Sequence, residues 1–159
     1  MDAALCREQL DQLLTQEASA LSLLQTLLDR EHESLAASDI DVLERAGAAR
    51  QACVGDLLRI EDERQSLCRL MNYSADAQGI DKLLTWCDTS QQLRRRWNKT
   101  LELATTCRRL NNRNGVVVAA KLKRVEGLLA VVTGRNKKGA VYGRKGIERL
   151  SGGHSLGQA

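Results

Sequence analysis

Leucine recurs at every seventh position through the first part of the chain. The leucines of this row, and of the row beside it, are Leu14, Leu21, Leu28, Leu35, Leu10 and Leu24. Such spacing places the side chains on one face of an α-helix, and its repeat is typical of helices that pack as coiled coils. The pattern predicts a helix over residues 3–36, which would be ~51 Å long at about 1.5 Å per residue.

A second helix is predicted from Ser38 to about Met71. Ser38 is a favourable N-cap residue, and Asp39 and Asp41 follow it in the first turn, where negative charge stabilises the helix dipole. Only one or two residues remain for the turn, and we therefore expect the two helices to form an antiparallel hairpin.

Four charged residues occupy seam positions of this hairpin that would ordinarily be apolar. They are Glu17 and Glu31 in the first helix and Arg50 and Arg64 in the second. One hypothesis is that some of them pair across the hairpin and fix its register. The alternative is that their long side chains extend past the seam to solvent.

A short helix is predicted between the hairpin and the longest helix of the chain. Residues 72–79 (NYSADAQG) have the composition of a connector, and residues 80–87 form a short helical stripe. Residues 88–90 (DTS) offer either caps for a new helix or a kink in a continuing one. The helix predicted over residues 89–133 would be ~67 Å long. It is longer than either helix of the hairpin, and we expect its end to project.

The last part of this long helix carries an apolar stripe, which is the candidate binding site. Its residues, spaced by three and four, are Val117, Val118, Leu122, Val125, Leu128, Leu129 and Val132. Residues 111–115 (NNRNG) hold four poor helix formers, and they predict a flexure between a packed half and a free half. The stripe is buried either within this molecule, where it completes the bundle, or against another molecule.

From Gly134 onward the chain is basic and rich in glycine. Residues 134–159 hold 7 of the 12 glycines, and Tyr142 is their aromatic residue. Such a segment buries too little apolar surface to order itself, and it predicts a flexible tail. The predicted organisation is a helical bundle over residues 1–133, with a projecting C-terminal amphipathic helix, followed by the tail over residues 134–159.

The composition agrees with a wholly helical protein. The 159 residues include no proline, no phenylalanine and only four aromatic residues. Leucine, alanine and long charged residues dominate, as is typical of helical bundles. We predict an all-α fold, an antiparallel bundle made of a two-helix hairpin, a short helix and a long C-terminal helix. Its packing would be left-handed and coiled-coil-like, and Trp86 and Trp97 are interpreted as core anchors.

The net charge of +4 conceals parts of opposite sign. Residues 1–78 hold 7 Lys/Arg and 15 Asp/Glu (−8), residues 79–133 hold 11 and 4 (+7), and residues 134–159 hold 6 and 1 (+5). This asymmetry predicts acidic and basic helices packed against each other, so that Arg94–Arg96 is interpreted as a charge-matched face and no nucleic acid is expected. The alternative is a nucleic-acid-associated or regulatory coiled-coil protein that uses the basic C-terminal half.

Residues that support catalysis or metal binding are scarce. The five cysteines lack a C-x-x-C pair and are interpreted as reduced, packed thiols of a cytoplasmic protein: Cys6, Cys53, Cys68, Cys87 and Cys107. The chain has no pattern of a signal peptide and no apolar run near the ~20 residues of a membrane span. His32 and His154 are too far apart for a zinc site. We expect no enzyme, no metal, no cofactor and no small-molecule substrate.

Four short motifs follow the leucine hairpin in order. They are LLTWC at residues 83–87, RRW at 95–97, CRRLNNRNG at 107–115 and YGRKG at 142–146. With the amphipathic segment between the last two, this order resembles the FlgN family of flagellar type III export chaperones over most of the chain. The most specific part is N-x-x-N-G before the amphipathic segment, together with the Tyr-Gly of the tail.

The resemblance implies a cytosolic chaperone that binds hook-associated (hook–filament junction) proteins before export. It would keep these clients unpolymerised and escort them to the export gate. In that family the C-terminal amphipathic region binds the client, which implies that the apolar stripe binds C-terminal helical segments of hook-associated proteins. Tyr142 is a candidate contact with the membrane protein of the export gate, and the export ATPase complex is a further candidate partner. A homo-oligomer formed through the same stripe is an alternative use of it.

Overall fold

The computed structural model describes the backbone of residues 1–152 and the side chains of residues 1–134. Within them the chain forms four α-helices and no strand. The helices are α1 (Ala3–Ala37), α2 (Ile40–Leu70), α3 (Ala77–Cys87) and α4 (Gln92–Gly152). Internal contacts define one unit over Met1–Val116 and a second unit that begins at Val117. The predicted all-α bundle is confirmed.

The turn between α1 and α2 divides its capping roles between two residues. Ser38, predicted to be the N-cap of α2, is instead the C-cap of α1, with a left-handed φ of 55°. Asp39 is the N-cap of α2, and its Oδ1 accepts a hydrogen bond from the Val42 N–H at 3.2 Å. The prediction for Ser38 was wrong because the first residue of so short a turn must end one helix before the second can start another.

Two ion pairs cross the α1–α2 hairpin. Arg64 Nη2 donates to Glu17 Oε1 at 3.3 Å. Arg50 Nε lies 2.9 Å from Glu31 Oε2. From the first pair to the second, the residue number rises in α1 from 17 to 31 and falls in α2 from 64 to 50. This is the antiparallel arrangement that the sequence predicted. The hypothesis that these four residues pair across the hairpin is confirmed.

The apolar core of the first unit consists of two clusters that follow each other along α1. All four helices contribute to cluster 1, which contains Cys6, Leu10, Leu13, Leu14, Ile60, Leu67, Cys68, Ile80, Leu83, Leu84, Cys87 and Leu93. Helices α1, α2 and α4 build cluster 2 from Leu21, Leu24, Leu27, Leu28, Cys53, Cys107 and Leu110. Burial of these leucines supplies the main driving force for assembling the helices. Glu17 lies in α1 between the two clusters.

Helix α3 begins three residues earlier than its apolar stripe indicated. Asp76 is its N-cap, and the carboxylate accepts a hydrogen bond from the Gly79 N–H at 2.9 Å. A Cβ at Gly79 would lie 1.6 Å from the backbone oxygen of Ser74, so only glycine fits there. After α3, Asp88 accepts from the Arg94 N–H at 2.9 Å across the turn into α4. Of the two predicted alternatives for residues 88–90, the start of a new helix is therefore confirmed.

Helix α4 runs parallel to α1 through the first unit. Arg96 pairs with Asp11 near its start, and the Cys107 thiol donates to the Leu21 carbonyl at 3.3 Å. Asn114 is buried, and its amide donates to the Leu28 carbonyl at 2.8 Å. The flexure predicted at residues 111–115 is replaced by continuous helix, because this hydrogen bond compensates for the poor helix propensity of asparagine.

The helical backbone of α4 continues to Gly152, beyond the end predicted near residue 133. The side chains of residues 135–159, including Tyr142, lie outside the described residues. The predicted boundary between residues 133 and 134, the projection of the helix end, the flexibility of the tail and the left-handed packing stay predictions.

Candidate protein-binding surface

The second unit presents the apolar residues that the sequence singled out. We call the predicted set the α4 stripe: Val117, Val118, Leu122, Val125, Leu128, Leu129 and Val132. Alternating steps of four and three connect Val118, Leu122, Val125, Leu129 and Val132. At about 100° per residue these five side chains fall within an arc of about 80°, which is the seam of a coiled coil.

The α4 stripe is exposed for nearly all of its length. Six of its members have exposed side chains, from 37% for Val118 to 63% for Leu128, and Val117 is half-buried. By contrast, the leucines of α1 in both core clusters are at most 9% exposed. Large apolar side chains arranged as a continuous exposed stripe are characteristic of a surface that binds another protein.

Two exposed apolar residues of α4 lie outside the predicted stripe. Val116 and Val131 are 70% and 58% exposed. Val131 lies on the side of the helix away from the centre of the seam, so periodicity gave no reason to include it. Val116 directly precedes Val117, where the stripe begins, and belongs to the first unit.

Charged residues of this segment lie to the sides of the seam. Helical geometry places Lys121 about 60° and Glu126 about 80° from its centre, with Arg124 and Lys123 more than about 100° away. The Lys121 side chain is half-buried, and the other three are exposed. The centre of the seam is therefore apolar, and an occupant would meet basic and acidic groups only at its edges.

Three of the seven basic residues earlier in α4 have acidic partners within the first unit. Arg94 pairs with Asp81 of α3, and Arg96 with Asp11 of α1. Arg113 Nη2 lies 3.1 Å from Asp29 Oδ1. Two of these pairs, Arg96–Asp11 and Arg113–Asp29, join the basic helix to the acidic α1 as the charge asymmetry predicted. Two of the three arginines in Arg94–Arg96 have acidic partners.

The five cysteines are free thiols and all are buried, as predicted. Burial raises the pKa of Cys6 to about 12, and the nearby Cys87 and Cys68 thiols reinforce that rise. Burial likewise raises the pKa of Cys53, Cys68, Cys87 and Cys107. These thiols therefore stay protonated at neutral pH, the form in which a cysteine is a poor nucleophile and a poor metal ligand.

No three His, Cys, Asp or Glu side chains among the described residues are grouped in a way that could hold a metal ion. None of the described helices combines the length and apolar character required to cross a bilayer. Trp97 packs on cluster 1 as predicted, whereas Trp86 is 38% exposed and does not anchor the core.

The sequence pattern of the family described as FlgN protein matches residues 1–149. The chain belongs to the FlgN family. Because the match spans both the hairpin and the α4 stripe, FlgN membership applies to nearly the whole chain, and it assigns the general role of a flagellar export chaperone. No curated protein and no solved structure matches the chain significantly.

Proposed function

We propose that this FlgN-family chaperone binds hook-associated proteins through the α4 stripe and holds them unpolymerised before export. The observation that carries the proposal is the exposed seam from Val118 to Val132, whose spacing suits a helical partner. An amphipathic helix of the client would lie along it with apolar side chains at steps of three and four residues. The client segment would be one that packs against other subunits once assembled.

The energy available from this surface suits a reversible chaperone. Burying about 600 Å² of apolar area would contribute a gross ~15 kcal/mol at about 25 cal/mol per Å². Ordering the client segment and losing its free motion removes much of that, which leaves a micromolar to nanomolar complex. Such an affinity protects the client and still permits its release at the export apparatus.

The client class is tested by titrating the full chain with purified C-terminal segments of hook-associated proteins. We expect saturable binding with a defined stoichiometry, and the bound segments should no longer co-assemble. An N-terminal segment of the same clients serves as the control and should not bind. Absence of binding to every C-terminal segment would contradict the assignment of the client.

We propose further that Tyr142 contributes to delivery at the export gate. The proposal rests on the YGRKG motif, which lies inside the family match over residues 1–149. Tyr142→Ala should weaken binding to the cytoplasmic part of the gate's membrane protein while client binding stays unchanged. Equal gate binding by the variant and the parent chain would contradict a role for this residue.

A further inference from the structure

Two arginines of the acidic hairpin lack the partners that its other arginines have. The paired arginines in residues 1–78 are Arg7, Arg50, Arg59, Arg64 and Arg69. Arg30 of α1 and Arg45 of α2 are exposed. Neither guanidinium has an ion pair or a hydrogen bond with any residue that the structure describes. An unpaired arginine in an acidic region is available to an external anion.

Arg30 and Arg45 line the same groove between α1 and α2. The groove has a volume of about 250 Å³, and the other lining residues are Leu27, Val42, Ala46 and Ala49. Leu27 is buried and Val42 is 42% exposed. The small side chains of Ala46 and Ala49 leave the space open. The result is an apolar floor between two cationic walls.

We propose that this groove binds an acidic amphipathic helix of a partner protein. An apolar side chain of the partner would lie on Leu27, and carboxylates on either side of it would pair with Arg30 and Arg45. Two antiparallel helices leave a groove in which the side chains of a third helix can interdigitate. Planar guanidinium groups suit carboxylates particularly well, since they donate two parallel hydrogen bonds.

The rest of the hairpin groove lacks this combination of features. Farther along the α1–α2 seam, Arg59 lines another groove, but its guanidinium already pairs with Glu63. A partner carboxylate there would have to displace Glu63. No acidic residue among those described pairs with Arg30 or Arg45. The proposed binding site therefore lies at the end of the hairpin near its turn.

The charges around the groove favour a short acidic protein segment over a polyanion. Glu33 on α1 and Asp41 and Glu44 on α2 are exposed within a few residues of the two arginines. A nucleic acid or an anionic bilayer would bring many negative charges close to these carboxylates, and repulsion would oppose it. Residues 134–159 carry 6 Lys/Arg and 1 Asp/Glu and therefore have the wrong sign to occupy the groove.

The proposal is tested by fluorescence anisotropy on the full-length chain. The probe is a labelled helical peptide of about 18 residues with leucines at steps of three and four and a glutamate beside each leucine. A second peptide carries glutamine in place of every glutamate. We expect the chain to prefer the glutamate peptide by about tenfold, from two partly exposed ion pairs. The double variant Arg30→Gln, Arg45→Gln should lose that preference.

A matched control separates the groove from net charge. Arg108 and Arg109 are also exposed arginines, and the double variant Arg108→Gln, Arg109→Gln changes the charge equally. It should keep the preference for the glutamate peptide. An equal loss in this control, or equal binding of both peptides to the parent chain, would overturn the proposal.

A second set of controls identifies the occupant. The preference for the glutamate peptide should be retained in the triple variant Leu128→Ser, Leu129→Ser, Val132→Ser, because the groove and the α4 stripe consist of different residues. Loss of the preference in this variant would assign the peptide to the stripe instead. Sedimentation with phosphatidylglycerol vesicles measures membrane binding, and sedimentation of the protein alone measures self-association. Both should be the same for the parent and for the double variant Arg30→Gln, Arg45→Gln. Vesicle binding or self-association that depends on the two arginines would overturn the choice of a partner helix.

Discussion

Arg64 of α2 holds Glu17 of α1 through a hydrogen bond of 3.3 Å from Nη2 to Oε1. The same guanidinium lies over the ring of Trp97 in α4, with its Cζ 4.6 Å from the ring centroid. One arginine therefore connects three helices beside cluster 1. Both partners of the ion pair are more than four-fifths buried, with side-chain exposures of 13% and 11%.

The Arg64–Glu17 pair specifies register at a cost in free energy. Burial raises the pKa of Glu17, and the neighbouring Arg64 opposes that rise only in part. Glu17 Oε2 and Arg64 Nε have no hydrogen-bond partner among the described residues. A buried pair with unsatisfied atoms adds little net stability, but a shifted register would leave each charge buried alone.

A double-mutant cycle tests this interpretation. Arg64→Leu alone should lower the free energy of unfolding by about 3 kcal/mol, because it leaves the Glu17 carboxylate buried without its cation. The double variant Glu17→Leu, Arg64→Leu should recover most of that loss, since it removes both charges. Chemical denaturation gives the free energy of unfolding of the parent, Glu17→Leu, Arg64→Leu and the double variant. Additive effects, with no coupling between the two sites, would contradict the pairing.

The close approach at Gly79 predicts a large effect of a single methyl group. Gly79→Ala should lower the free energy of unfolding by more than about 2 kcal/mol, because the new Cβ would overlap the Ser74 carbonyl and displace the start of α3. Gly55, inside α2, provides the control, because a Cβ added there would meet nothing within 4 Å beyond the backbone of its own helix. Gly55→Ala should raise stability by about 0.5–1 kcal/mol through helix propensity. Similar effects at the two sites would contradict the packing at Gly79.

Alkaline pH should reveal the buried thiol of Cys6. Its pKa is raised from 9.0 to about 12, so between these values the folded chain binds more protons than the unfolded chain. The free energy of unfolding must then fall as pH rises through this window, by up to about 1.4 kcal/mol per pH unit. Cys6→Ala should show a shallower decline from pH 9 upward. Parallel stability curves for the variant and the parent would show that Cys6 ionises equally in both states.

The sequence predicted features that depend on periodicity more reliably than those that depend on a single turn. Rows of leucine at seven-residue spacing predicted α1 and the hairpin, and charged residues on the seam predicted the Glu17–Arg64 and Glu31–Arg50 pairs. Propensity failed at residues 111–115, because the hydrogen bond of Asn114 to Leu28 joins residues 86 positions apart. The Arg30–Arg45 groove was missed although the hairpin was predicted, because periodicity does not indicate which exposed arginines lack an acidic partner.

The binding constant of one triple variant tests the role of the α4 stripe most directly. The test variant replaces three exposed apolar side chains of α4 with serine: Leu128→Ser, Leu129→Ser, Val132→Ser. The matched control replaces three exposed apolar side chains of α2: Val54→Ser, Leu58→Ser, Leu70→Ser. Titration with a C-terminal segment of a hook-associated protein should show binding lost in the first variant and unchanged in the second, with both melting temperatures close to that of the parent. Undiminished binding by the first variant, or a large fall in its melting temperature, would contradict a client-binding surface on α4.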